Sequence, residues 1–488
     1  MIDTRAIRNR ILDLALHGQL TKQNLVEGTG ETLFNQIQKE KNQLIVKGEI
    51  KKSQAYSKSN AQKAPYKLPN SWKWVRLGEV LNEVIVPQRD KPKVFDGDIP
   101  WCRIEDADGD YMSYSHSGQN VSQEVIDRMN LRVFPKGTVL FACSGASIGR
   151  ILITTTELCT NQTFNGLVCN RGLYNWYLLY FLRNSISRLK RLGGGSAMAY
   201  VSQKKIGEMM IPLPPLAEQK RIVEKVNSLF SILDTIDELQ ARYAADREVL
   251  KSKLIDAAIR GKLTKQLPED GTAEELYQQI QEEKKKLIKE KKIRPDKTLS
   301  STTGRKMPFE VPSNWMWCRL GEITSKIGAG NTPKGGKKSG IYKNSGVPFI
   351  REMNVYNDGL RYDGIVYISQ ELADQRIGSS VYAKDILLNI TGDSIGRCSL
   401  VNDNFTLGNV NQHVLIIRLI NQNIRKYIHL CICSPMVQNI INSKATGDKA
   451  GFSATKAKNI YVPLPPIAEQ KRIVERLDSF IDILSKEK

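Results

Sequence analysis

The sequence predicts an α+β protein: two mixed α/β domains in a pseudo-twofold arrangement, separated by long antiparallel, coiled-coil-like helices. Two observations carry this. The chain contains most of itself twice, and one stretch of 45 residues, Leu216 to Arg260, holds neither Gly nor Pro. An interior free of both residues is the mark of a long helix. At 1.5 Å per residue it would span roughly 65–70 Å, more than the core of one small domain needs.

The repeat is written in near-identical strings. ILDLALHGQLTKQ (11–23) matches LIDAAIRGKLTKQ (254–266), GTGETLFNQIQKEKNQLI (28–45) matches GTAEELYQQIQEEKKKLI (271–288), and YKLPNSWKWVRLGEV (66–80) matches FEVPSNWMWCRLGEI (309–323), all at an offset of 243. IPLPPLAEQKRIVEKV (211–226) matches VPLPPIAEQKRIVERL (462–477) at 251, with 12 of 16 positions identical. Between these anchors the likeness thins: IPWCR (99–103) faces VPFIR (347–351), SGASIGR (144–150) faces TGDSIGR (391–397), and Asn161-Gln162 faces Asn411-Gln412. Segments 81–210 and 324–461 are therefore diverged versions of one domain type.

Along the central helix, Ile222, Val226, Leu229, Leu233 and Ile236 step by four and three, and Tyr243, Leu250 and Leu254 resume the register after breaks at Gln240 and Arg247. That spacing predicts a packed stripe. Residues 467–488 repeat its first half and residues 2–17 its second, less about seven residues equivalent to 238–244. The repeat is thus circularly permuted, and antiparallel pairing of the central helix with both termini is expected. The expected segments are 1–65 (helical, with a linker), 66–213 (first domain), 214–308 (long helix, second helix and linker), 309–464 (second domain) and 465–488 (terminal helix). Shorter helices are expected at 31–47 and 273–292, before polar linkers at 48–65 and 293–308. VLFAC (139–143) and VLIIRLI (414–420) read as strands, 174–192 and 424–443 as helices, the last despite Pro435.

Composition bounds the function. Seventy-two Lys and Arg against 51 Asp and Glu leave a net charge of +21, which suggests a polyanionic partner such as nucleic acid. The bland alternative is a solvated basic face, as in EEKKKLIKEKK (282–292). No apolar run reaches 18 residues, and MIDTRAIRNRILD lacks a secretory pattern, so a cytoplasmic protein with no membrane partner is expected. The eight cysteines form no CxxC pair and there are four histidines (17, 116, 413 and 429), so no structural metal is expected. Cys431 and Cys433 are spaced for alternate faces of a strand.

Catalytic motifs fail on context. G-x-S-x-G occurs at 145–149 and 392–396, but the flanking chain reads strand–turn–strand rather than the strand–turn–helix of a nucleophile elbow. Its amides, hydroxyls and following arginine suit a phosphate instead. GAGNTPKGGKKS (328–339) places Gly336 where a phosphate-binding loop needs Lys. Trp72/Trp74 and Trp315/Trp317 are expected to seal the start of each domain core. The candidate nucleic-acid contacts lie in loops mixing cations with Gly, Ser, Asn and Gln, the residue types that meet phosphates, guanine and adenine. In the first domain they are Gln88, Arg89, Lys91, Arg103, Ser144, Ser147, Arg150, Arg191, Ser196, Gln203 and Lys204. In the second they are Thr332, Lys334, Lys337, Arg351, Asn354, Ser394, Arg397, Lys444, Lys449 and Lys456. No catalytic residue is assigned.

LPPL-x-EQ-x-x-I (213–222), LPPI-x-EQ-x-x-I (464–473) and LPNSWKWVRLGE (68–79), within a permuted double repeat, make the whole chain resemble a specificity subunit of a type I restriction-modification system. The resemblance implies two target-recognition domains, each reading one half of a bipartite, asymmetric site in double-stranded DNA. It implies two methyltransferase subunits that flip and methylate adenine at N6 with S-adenosylmethionine, and restriction/translocase subunits that use ATP and Mg²⁺. It implies no cofactor and no catalytic residue in this chain, and a long helix that fixes the half-site spacing. The other readings are a basic scaffold that binds DNA without reading sequence, and a self-sufficient DNA-modifying enzyme, for which neither an acidic metal cluster nor a cofactor loop is found.

Overall fold

The structure is a computed structural model that describes residues 1–51, 64–88, 90–143, 147–192, 200–295, 307–333, 340–445 and 451–486. The chain forms two compact units, Met1–Ala241 and Arg242–Lys488. Five helices carry the repeated flanks: α1 (Thr4–Leu16), α2 (Gly30–Val46), α3 (Leu216–Ile259), α4 (Ala273–Lys289) and α5 (Ile467–Lys486). The division between the units falls inside α3.

Both units follow one plan. In the first, strands Leu81–Ile85, Phe164–Cys169, Val139–Ala142 and Ile151–Thr154 lie side by side in that order, with the short Tyr111–Met112 added parallel to the last. In the second, Thr324–Ala329, Val414–Leu419, Ile386–Asn389 and Cys398–Leu400 take the same places. Each unit has a second four-stranded sheet. Its order is Asn120–Val121, Ile99–Cys102, Leu158–Thr160, Val133–Phe134 in one, and Val366–Ile368, Val347–Ile350, Gly408–Val410, Ser380–Val381 in the other. In both, the middle two strands run parallel. A two-stranded ribbon closes each unit, Lys73–Arg76 with Met210–Leu213 and Met316–Arg319 with Tyr461–Leu464. The strands expected at 139–143 and 414–420 are present. The helices expected at 174–192 and 424–443 are each broken in two, at Ser185 and at Ser434; the second break precedes Pro435, which supplies no amide hydrogen and opens a new helix instead. Cys431 and Cys433 stand on the helix Arg425–Cys433, so the strand spacing read for them is overturned by the apolar helical face that Tyr427, Ile428 and Cys431 bury.

The helices belong to the cores. Ile11, Leu12, Ala15 and Leu16 of α1 and Ile222, Val223, Val226 and Leu233 of α3 share one apolar cluster with the sheet and helix Asn175–Asn184. α1 runs antiparallel to the first half of α3, as Thr4 Oγ1 donates to Asp237 (2.6 Å) and Arg8 to Asp234 (2.7 Å) while its guanidinium lies over Phe230. In the second unit Ile255, Ala258 and Ile259 of α3 join Ile473 and Leu477 of α5 in a single core. Of the stripe expected to resume at Tyr243, Leu250 and Leu254, the first two are exposed, whereas Leu254 packs against the second core beside the buried Ile255, Ala258 and Ile259.

A buried carboxylate joins three repeated strings in each unit. Glu218, in the first turn of α3 and 1% exposed, accepts from Trp72 Nε1 (2.9 Å), Gln23 Nε2 (2.8 Å) and Thr21 Oγ1 (3.1 Å). Glu469, in the first turn of α5, accepts from Trp315 Nε1 (2.8 Å), Gln266 Nε2 (2.8 Å) and Thr264 Oγ1 (3.0 Å). One helical turn on, Arg221 forms a two-pronged pair with Glu27, and Arg472 with Asp270. Gly18 (φ +69°) and Gly261 (φ +71°) close the preceding helices in the left-handed region, and a Cβ at either would lie 2.4 or 2.5 Å from Cγ of Pro69 or Pro312. The tryptophans expected to seal the cores do so: Trp72 and Trp315 are buried, Trp74 donates to the Tyr66 carbonyl (3.1 Å), and Trp317 meets Phe309 edge-on.

Burial pushes the Glu218 carboxyl above its ordinary value, while the indole, Thr21, Arg221 and Gln23 pull it down. Glu218→Gln would turn an amide N–H toward three donors. It is expected to cost about 2 kcal/mol by urea unfolding, against less than about 0.5 kcal/mol for the exposed Glu224→Gln. The Arg221 and Arg472 hydrogen bonds hold the Glu27 and Asp270 carboxyls below their ordinary values. A carboxyl so lowered stabilises the fold above its unfolded pKa and stops doing so as pH falls through the folded one. The stability gap between wild type and Arg472→Ala should therefore be constant above about pH 5 and shrink below about pH 4, read by urea titration at each pH.

Candidate nucleic-acid interface

In the second unit the G-x-S-x-G turn meets the loop after the second-sheet strand Val347–Ile350. Both turns join antiparallel strands, Val139–Ala142 to Ile151–Thr154 and Ile386–Asn389 to Cys398–Leu400, which is the strand–turn–strand context expected. The Arg150 amide donates to the Ser147 carbonyl and the Arg397 amide to the Ser394 carbonyl, both at 3.1 Å, so the two arginines leave equivalent turns.

The second unit shows the cluster most fully. Asn389, at the end of its strand, donates from one amide nitrogen to the Glu352 carbonyl (2.8 Å) and to Ser394 Oγ (3.1 Å). Asn411 Nδ2 donates to Glu352 Oε2 (2.6 Å), and its oxygen accepts the His413 amide (3.1 Å). His413 Nδ1 meets Thr391 Oγ1 at 2.6 Å, and Gln412 is hydrogen-bonded to Thr332. Tyr356 carries Arg397 on its ring at 4.7 Å and Arg361 at 5.3 Å. Thr332, Arg351, Ser394 and Arg397 are therefore brought together by the structure. The residues that join them, Asn389, Asn411, Gln412, Tyr356 and Arg361, are absent from the candidates chosen by sequence. The facing of Asn411-Gln412 with Asn161-Gln162 was the available signal, since Asn161 holds the Thr163 amide in the same turn (3.2 Å).

In the first unit the cations gather on an aromatic pair. Lys91 Nζ lies 5.7 Å from the centroids of both Phe95 and Trp101, and the Arg103 guanidinium lies 5.2 Å from Trp101 and donates to Gln119 (2.7 Å). His116 and the exposed Tyr114 pack edge-on beside them. Gln88, Arg150, Arg191 and Lys204 are exposed, Ser147 is half-buried, and Gln203 donates to the Val84 carbonyl (3.3 Å). In the second unit Lys456 is half-buried and reaches the Gly451 carbonyl at 3.5 Å. Arg89, Ser144, Ser196, Lys334, Lys337 and Lys449 lie outside the described residues, as does the side chain of Lys444.

Asn354 needs correcting. Its side chain is wholly buried, accepts the Arg351 amide (3.1 Å) and donates to the Arg361 carbonyl (2.9 Å), so it presents no edge to a base. Asp106 does the same work three residues after Arg103, accepting the Arg103 and His116 amides at 2.7 Å. A short polar side chain at this position folds the loop behind the arginine.

The family model for the type I restriction modification DNA specificity domain matches residues 69–242 and again 312–488. The chain belongs to this family. The two matches, each running from the tryptophan string into a long helix, trace the two units. Among curated relatives, the chain is 24% identical to the type I restriction enzyme EcoAI specificity subunit of Escherichia coli, over 99% of this chain and 90% of the relative. It is 24% identical to the EcoEI specificity subunit of the same organism (98% and 89%). It is 25% identical to the MjaIX specificity subunit of Methanocaldococcus jannaschii (82% and 84%). A solved structure described as showing complex assembly and conformational transition of the type I R-M system shares the fold, with TM-score 0.58 and 20% identity over 86% of this chain and 93% of that one. The chain is a specificity subunit of the type I restriction-modification class, with two DNA-recognition domains and a 44-residue helix. Among the described residues no helix is long and apolar enough to cross a membrane.

Asn354→Ala removes both loop hydrogen bonds from a buried position and is expected to lower stability by about 1–3 kcal/mol. Arg397→Ala, which removes a half-buried side chain held on the Tyr356 ring, should change stability by less than about 1 kcal/mol. Thermal unfolding of the two variants beside wild type compares them.

Proposed function

We propose that the two domains read the two halves of a bipartite, asymmetric site in double-stranded DNA. The observation that carries this reading is that near-identical scaffolds hold loop sets of different chemistry. Lys91 and Arg103 lie over Trp101, with Gln119 bonded to Arg103, in one, whereas Arg361 and Arg397 lie over Tyr356, with Ser394 and Gln412 in the hydrogen-bonded turn beside them, in the other. Arginine suits the edge of guanine and the phosphates, and glutamine that of adenine. A net charge of +21 supplies the sequence-independent attraction. The unbroken α3 sets the distance between the half-sites. Methyltransferase subunits dock on the helices and methylate adenine at N6 with S-adenosylmethionine, and restriction/translocase subunits add ATP- and Mg²⁺-dependent cleavage. In this reading the chain contributes recognition and no catalytic group, holds no such cofactor itself, and works in the cytoplasm, where its DNA substrate lies.

Co-expression with the cognate methyltransferase subunit, followed by mapping of methylated adenines, tests the reading. Exchanging 81–210 for the matching segment of a relative should change one half-site and leave the other intact. Change in both halves or in neither would refute modular reading and favour a scaffold that ignores sequence. One helical repeat inserted within 238–246 should lengthen the unspecified spacer, and an unchanged spacer would remove the ruler role from α3.

A further inference from the structure

The two units differ in one buried place that DNA reading does not use. In the second unit, Cys398 on strand Cys398–Leu400 faces His429 and Cys433, one turn apart on helix Arg425–Cys433, and their ligand atoms all lie within 4.8 Å of one another. His429 and Cys433 also line a cavity of about 470 Å³ bounded by Lys251 and Ile255 of α3 and Leu477 and Asp478 of α5. In the first unit the matching helix, aligned on the buried Tyr177 and Tyr427, carries Leu179 and Arg183 at these positions. There Arg183 forms a two-pronged pair with Asp110, and the strand residue that follows Arg150, as Cys398 follows Arg397, is Ile151. One copy closes this corner with a salt bridge, the other with two thiols and an imidazole.

We propose that Cys398, His429 and Cys433 bind one Zn²⁺ ion, with the fourth position open to the cavity. In a tetrahedral site with Zn–S of about 2.3 Å and Zn–N of about 2.0 Å, sulfur and nitrogen stand about 3.5 Å apart. Cys433 Sγ and His429 Nε2 are 3.6 Å apart. Two thiolates and one imidazole are soft to borderline donors, the set that selects zinc over Mg²⁺ or Ca²⁺. Without metal, His429 Nε2 sits 2.9 Å from the Cys398 carbonyl oxygen, a contact that suits a protonated nitrogen. On loading, that ring proton passes to Nδ1, Nε2 turns its lone pair to the metal, and the two thiols release their protons to solvent. The metal ties helix to strand directly behind Arg397, whose neighbour Cys398 also donates its amide to Asn357 Oδ1 (2.9 Å). In the sequence only His429 and Cys433 stand paired, one helical turn apart, because Cys398 lies 31 residues before His429.

The full chain, stripped with a chelator under reducing conditions, is titrated with Co²⁺ and then Zn²⁺. The expected result is one equivalent of Co²⁺ giving sulfur-to-cobalt charge-transfer absorption and tetrahedral visible bands, displaced by Zn²⁺, with a rise in thermal midpoint that EDTA reverses. Cys433→Ser and His429→Gln should weaken zinc binding at least tenfold with unchanged circular dichroism, and Cys169→Ser should bind as wild type. If a variant does not fold, the wild-type cobalt spectrum and zinc-dependent midpoint decide by themselves. Absence of charge-transfer absorption in the reduced wild type, equal binding by the folded variants, or a Cys398–Cys433 disulfide in place of metal under those conditions would each overturn the proposal.

Discussion

A buried carboxylate at the start of a helix organises each half of this protein. Glu218 and Glu469 are taken out of water in the first turns of α3 and α5, where the free amides of a helix N-terminus favour negative charge. A charge so placed is tolerable only when its oxygens are fully engaged. An indole from one segment, and a hydroxyl and a primary amide two residues apart in another, supply the donors, both segments far from the carboxylate in sequence. The helix, the tryptophan ribbon and the loop after the Gly-terminated helix are thereby held in one geometry. The indole serves one carboxylate oxygen and the hydroxyl and amide share the other, and the strings Leu-Thr-Lys-Gln, Trp-x-Trp and Ala-Glu-Gln that supply them recur together in both copies.

Such a scaffold separates stability from recognition. The clamps, the two-stranded ribbons and the buried strands form the same structure twice, while the loops that follow Ile99–Cys102 and Val347–Ile350 carry different side chains. Loops can diverge because their backbones are fixed from below, by Asp106 in one unit and Asn354 in the other. Membership in the DNA specificity family fits this division, with constant flanks around variable readers.

Much of the architecture was legible in the letters. The offset of 243, the missing Gly and Pro in 216–260, and the glycines at 18 and 261 located the repeat, the long helix and the helix ends. The site was legible only in part. Arg150 and Arg397 could be chosen as arginines that follow a turn glycine, and Arg103 and Arg351 as loop arginines after a strand. Asn354 has the same composition signal but is buried, since a short amide also satisfies backbone groups within a tight loop. Asn389, Asn411 and Tyr356 were missed because their value lies in whom they meet. Tyr243 and Leu250 fit the helical period yet stay exposed, because period records a shared face and not what covers it.

By itself, then, the sequence determined the secondary structure of the flanks, the duplication and its permutation, since these follow from local propensity and from strings that can be compared directly. Only the tertiary structure decided which polar groups are consumed in holding the fold and which are left for a partner. That choice depends on contacts between residues far apart in the chain, such as Trp72 with Glu218 (146 positions) or Trp315 with Glu469 (154 positions), and no local pattern encodes such a distance.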